Sequence, residues 1–141
     1  MTTETTETSL RPRRLFQSVG AVLAGFVAVF VVSLATDQIF HSLEVFPPWG
    51  EPIVGTGLYL LALAYRLVYG VAGGWIAARL APSVPMGHAL ALGIIGLAAS
   101  AAGTIAMWNF GPHWYPLALV VTAVPCAWLG GVFHRRNFAA A

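Results

Sequence analysis

Charge is scarce in this chain of 141 residues: 9% of its positions are charged, lysine does not occur, and there is a single cysteine, Cys126. One cysteine excludes an intrachain disulfide and any multi-cysteine metal site within one chain. The seven basic residues are all arginines, six of them set at the ends of apolar runs rather than along one face. That distribution argues against a nucleic-acid partner in spite of a pI of 9.1. A glycine-rich phosphate loop, a serine triad and a pair of neighbouring acids are all missing. No catalytic residue, metal site or cofactor is expected from motifs.

Apolar residues are what the sequence has in excess, at 58% of the chain. A soluble domain of this size cannot cover so much apolar surface. At about 20 apolar residues per crossing, the length accommodates four membrane-spanning helices with short loops. The expected fold is therefore an all-α integral membrane protein, a four-transmembrane-helix bundle. Hydropathy and punctuation place its helices at about 15–41, 57–80, 86–109 and 115–134 within a membrane domain 13–136. A polar, threonine-rich segment at 1–12 reads as a disordered tail, and 137–141 as a short second one. Pro47, Pro48, Gly50, Pro52 and Gly55 break the chain between the first two helices, and Pro82 and Pro85 turn it sharply between the second and third. Pro125 is expected to kink the fourth helix.

Orientation follows from the arginines. Arg11, Arg13, Arg14, Arg79, Arg135 and Arg136 fall on one side of the four runs, whereas the opposite loops hold Glu44 and Glu51 and no basic residue. Positively charged ends stay on the cytoplasmic side, so both termini are expected there, in a cell membrane, plasma or inner. The basic start, apolar run and Ser33-Leu34-Ala35 also imitate a cleavable secretory signal. The run from Val19 to Val32, extended by Leu15 and Phe16, is longer than a usual signal core and fits a spanning helix.

The halves of the chain show a weak correspondence. Gly73-Gly74 with Arg79 parallels Gly130-Gly131 with Arg135 and Arg136, and Pro47-Pro48-Trp49 parallels Pro112-His113-Trp114. Duplication of a helical hairpin would give two parallel repeats about an axis along the membrane normal. Chance is the alternative, because Gly, Pro and Trp are common in and beside membrane helices. Both readings stand on the sequence.

Lipid provides no hydrophobic force between helices, so close packing needs small side chains. Four-residue spacing supplies stripes at Gly20, Ala24 and Ala28; at Gly70, Gly74 and Ala78, with Gly73 beside them; at Gly96, Ser100 and Thr104; and at Ala123, Ala127 and Gly131, with Gly130 adjacent. Trp49, Trp108, Trp114 and Tyr115 read as an interfacial belt at the non-basic end.

One intramembrane charge stands out. Arg66 precedes Arg79 by 13 positions, roughly 20 Å along a helix, which puts it inside the hydrocarbon. An arginine at that depth costs at least about 2.5 kcal/mol and should face protein or a water-filled cavity. It shares the stripe of Gly70 and Gly74, and its expected partner is Asp37, on a polar face with Ser33 and His41. Tyr65, Tyr69, Ser100, Thr104 and Thr122 fall at comparable depths and complete an expected polar cluster. Counted from Arg14, however, Asp37 lies about 34 Å up the first helix, which leaves a gap to Arg66 near the limit of side-chain reach.

Two readings of the cluster are open: a bridge that only fixes helix packing, or a site for an anion or acidic solute. The leading expectation is a solute-handling protein, transporter- or channel-like, with an outward-facing polar site. An accessory or assembly subunit of a larger membrane complex is the alternative. A membrane redox or haem protein is third, resting on His41 and His113 near one end and His88 and His134 near the other. The expected partners are the lipid bilayer and either further copies of the chain or a larger complex.

Overall fold

The computed structural model describes the backbone of residues 3–141 and side chains from residue 12 onward. The described residues form four helices and no strand: α1 over Thr3–Ser42, α2 over Thr56–Leu80, α3 over Pro85–Ala106 and α4 over Trp114–Ala139, with a short 3-10 turn at Trp108–Phe110. Each contains a stretch of 22 to 31 residues long and apolar enough to cross a membrane.

The helices exceed the apolar runs at both chain ends. Helical backbone begins at Thr3 and passes through Pro12, so it takes in most of the segment read as a tail. Met1 and Thr2 lie outside the described residues. α4 continues past His134 to Ala139 and holds Pro125 in its interior. Hydropathy marks where a helix can meet lipid, not where backbone hydrogen bonding stops. A basic residue such as Arg136 in a last turn also interacts favourably with the helix dipole. α3, by contrast, ends earlier than its apolar run. Met107 donates its N–H to the Gly103 carbonyl at 2.9 Å, and the chain tightens into the 3-10 turn before Gly111 and Pro112.

α1 closes with a left-handed residue, Glu44, at φ 58°. The Val45 N–H reaches the Phe40 carbonyl at 2.9 Å and the Glu44 N–H reaches that of His41 at 3.2 Å. This pair of bonds is a Schellman closure, made here without the usual glycine. Val84, also left-handed, opens α3, with Pro85 following in the first turn, where its missing N–H costs nothing.

The four helices pack into one bundle. α2 packs against the other three helices, α4 lies between α2 and α3, and α1 lies across α2 with a lighter contact to α3. Its interior is built from small residues: Ala62, Ala77, Ala78, Ala89 and Ala127 are buried, together with Val22 and Leu92. Leu23, Val27, Phe30, Ile94, Ile105 and Val121 are each more than half exposed. The large apolar side chains thus point outward and the small ones inward, which lets backbones approach closely.

Four glycines show how closely. A methyl group on Gly74 would lie 2.8 Å from the Ala127 Cα, and one on Gly130 would lie 2.5 Å from the Trp75 nitrogen, so α2 and α4 touch backbone to backbone. A methyl on Gly73 would strike Val29 of α1, and one on Gly131 would lie 2.8 Å from the Met86 sulfur of α3. Gly70 sits against Cys126, at 3.2 Å from such a methyl, whereas Gly96 has ordinary space, with Ala123 at 3.8 Å. Corresponding glycines of the two Gly-Gly pairs face different neighbours. Gly73 turns to its own hairpin partner α1 and Gly74 to α4, while Gly130 turns to α2 and Gly131 to its own partner α3.

On α1 the packing stripe lies one residue further along than the small-residue spacing indicates. Gly20 is exposed, with nothing near it, whereas Ala21, Val22 and Gly25 are buried, and a methyl on Gly25 would lie 2.7 Å from the Gly73 carbonyl.

Candidate functional site

The α1–α2 contact fixes the register of the polar residues. Gly25 lies against Ala77 and Val29 against Gly73, and the antiparallel run from those contacts brings Asp37 level with Tyr65 and Arg66. Arg79 then comes level with about Leu23, and Arg14 lies roughly 14 Å beyond it. The two arginines are not at one depth, which is why a count from each left a gap that does not exist. Arg66 Nη2 donates to Asp37 Oδ2 at 2.6 Å.

Asp37 is the centre of the arrangement. Its other oxygen, Oδ1, accepts a hydrogen bond from the Tyr65 hydroxyl. Both carboxylate oxygens are therefore engaged, one by a phenol and one by a guanidinium, and the side chain keeps only 12% of its surface exposed. The Arg66 side chain keeps 30%, with its guanidinium carbon 5.8 Å from the centre of the Tyr65 ring. Nη2 has a partner, but Nε is buried and has none.

One turn toward the basic end is a second α1–α2 link. Thr36 Oγ1 donates to the Val32 carbonyl at 2.8 Å, and the Tyr69 hydroxyl lies 2.8 Å from the same oxygen. A hydroxyl has one proton to give, so Tyr69 must be the donor to Thr36. Tyr65 and Tyr69 lie with ring centres 5.7 Å apart, and Phe40 lies 5.7 Å from Tyr65 on the far side.

The remaining members of the expected cluster are placed elsewhere. His41 turns into the loop, where its Nδ1 donates to the Pro47 carbonyl at 2.5 Å and its ring lies 4.0 Å from that of Trp49. Trp49 Nε1 in turn donates to Gln38 Oε1 at 3.3 Å. His41 thus anchors the α1–α2 loop rather than extending the charge pair. Thr104 and Thr122 donate back to their own helices, to the Ser100 carbonyl at 2.7 Å and the Ala118 carbonyl at 2.6 Å. Hydroxyls bonded in this way need nothing from a neighbouring helix. Ser33 is half-buried on α1, one turn before Asp37.

Thr36, next to Asp37, belongs to the site through its bond with Tyr69, although the sequence reading gives it no place in the cluster. A threonine beside an aspartate within an apolar run, with tyrosines at four-residue spacing on the next helix, is the signal that identifies such a ladder. The histidines each have local company: His88 Nδ1 lies 3.1 Å from the Val84 carbonyl, His113 stacks on Trp108 at 4.0 Å and His134 lies 4.7 Å from Phe138. Among the described residues, no three His, Cys, Asp or Glu side chains converge.

The arrangement offers an anionic group two donors from adjacent positions of α2, the Tyr65 hydroxyl and the Arg66 guanidinium, with a third N–H unused beside them. Comparison with protein-family models, with curated proteins and with solved structures gave no match.

Proposed function

We propose that the chain is a solute-handling membrane protein in which Arg66 and Tyr65 engage a small carboxylate that takes the place of Asp37. The orphaned, buried Nε of Arg66 carries this reading, together with the 30% of that side chain left open. A guanidinium stays charged in any environment, so within an apolar bundle it needs an anion at all times. Asp37 supplies one internally. A solute carboxylate presenting the same two oxygens satisfies the same donors and adds a partner for Nε. The exchange therefore needs no unpaired charge at rest.

The inside-out distribution of side chains supports the membrane setting, because Phe30, Ile105 and Val121 exposed in water would form apolar patches unusual for a soluble monomer. The arginine distribution supports a cytoplasmic location for both termini, in a plasma or inner membrane. Arg66 then lies about 20 Å from the cytoplasmic boundary, nearer the outer side.

Binding tests the proposal directly. Acetate, lactate or succinate should raise the melting temperature of the purified protein in detergent more than chloride at equal ionic strength, and the Arg66→Gln variant should lose that difference. Equal stabilisation by chloride, or a difference retained in the variant, contradicts it.

A second reading, an accessory subunit, is favoured by one observation. α1 packs on α2 and lightly on α3, leaving Leu23, Val27, Phe30, Val31 and Leu34 uncovered along its outer face. A partner helix fits there as well as lipid does. A constant stoichiometric companion, recovered in mild detergent and lost on Val27→Arg substitution, would support this second reading.

A further inference from the structure

At the basic end of the bundle the last turns of α2 and α4 border an open recess of about 480 Å³. Arg79 of α2, His134, Arg135 and Phe138 of α4, Ala81 of the tight connection and Pro85 at the start of α3 line it. None of these residues belongs to the Arg66 site, at roughly 20 Å along α2 from Arg79.

Three features distinguish this recess from an ordinary basic helix end. Two arginines from different helices line one recess, and among the described residues neither has a carboxylate partner, since the one ion pair there joins Arg66 to Asp37. Arg79 is held in place by its own helix, with its guanidinium carbon 5.2 Å from the centre of the Trp75 ring. His134 is 7% exposed, and its Nδ1 is buried without a hydrogen-bond partner. A polar group so enclosed ordinarily has a partner, and one that lacks it beside two unpaired cations marks a place for a missing ligand. The rest of the wall is apolar: Phe138, Pro85, Ala81 and Ala78.

The geometry points to a binding site for a phosphate group between α2 and α4, formed by Arg79, Arg135 and His134, with Phe138 and Pro85 beside an attached apolar chain. Guanidinium groups match phosphate oxygens through paired N–H donors, and an imidazole N–H adds a third direction. Basic pockets between helices at the cytoplasmic face suit the head groups of anionic lipids. A free phosphate or phosphorylated solute presents the same oxygens without the chain.

Native mass spectrometry of the full chain, released from micelles containing equal amounts of dioctanoyl phosphatidylglycerol and dioctanoyl phosphatidylcholine, tests the site. One phosphatidylglycerol should be retained in preference to phosphatidylcholine. Arg135→Gln changes an exposed residue near the end of α4, where folding is not at stake, and should weaken retention roughly fivefold. Arg79→Gln with Arg135→Gln should weaken it about 20-fold or more. Arg13→Gln with Arg14→Gln removes the same charge elsewhere and should retain the lipid as the unaltered chain does. Inorganic phosphate competing at millimolar concentration would assign recognition to the phosphate alone; failure to compete would assign it to the lipid, chain included. Equal retention of the two lipids, or full retention after Arg135→Gln, overturns the proposal.

Discussion

Asp37 joins two helices by accepting from two side chains of α2, and the energetics of that junction are asymmetric. Removing one partner strands the other. Asp37→Leu leaves a guanidinium in the bundle with no anion, and Arg66→Met leaves a carboxylate bonded only by Tyr65. Each single change should cost about 3 kcal/mol of stability, measured by unfolding in detergent. The double change replaces the pair by apolar side chains of similar size and should cost far less than either alone. Additive losses would show that the two residues do not act as a pair. Residue types and spacing made Arg66, Asp37, Tyr65 and Tyr69 legible in the sequence, because a charge inside an apolar run must be answered nearby. Thr36 was not legible in the same way: a threonine on a membrane helix ordinarily bonds its own backbone, and only the register of α1 on α2 brings Tyr69 to it.

At the scale of elements, packing depends on which glycines meet backbone. Gly74 and Gly130 face each other's helices at distances that leave no room for a methyl group, whereas Gly96 has that room and Gly20 has open space around it. Gly74→Ala and Gly130→Ala should each destabilise the bundle by about 1–3 kcal/mol. Gly96→Ala should be nearly neutral, and Gly20→Ala should stabilise α1 by up to about 1 kcal/mol through backbone entropy. Thermal unfolding of the four variants in one detergent checks the order. An equal loss at Gly20 and Gly74 would contradict the α2–α4 interface described above. The stripes on α2 and α4 were readable because Gly-Gly pairs are dense there. On α1 small residues occur at too many positions, and the choice of Gly25 over Gly20 is made by the partner surface. The reversed facing of Gly73–Gly74 and Gly130–Gly131 likewise arises from neighbours that a comparison of the two halves does not contain.

For the whole molecule, the four-helix order was legible from hydropathy because lipid-crossing segments need length and apolarity together. The helical extensions at Thr3 and Ala139 were not, since they lie beyond the apolar runs. Orientation is tested by labelling in intact cells. In a Cys126→Ala background, an impermeant thiol reagent should modify Glu51→Cys without lysis and Arg136→Cys only after it, and the reverse pattern would contradict the cytoplasmic placement of the arginines. The central claim, that a carboxylate exchanges with Asp37 at Arg66, is tested most directly by flux. Proteoliposomes containing the purified chain should accumulate labelled acetate, lactate or succinate down a gradient faster than empty liposomes, and Arg66→Met with Asp37→Leu, which keeps the fold, should abolish the difference. Uptake by the double variant equal to that of the unaltered chain, or no uptake of any of the three above empty liposomes, would contradict it.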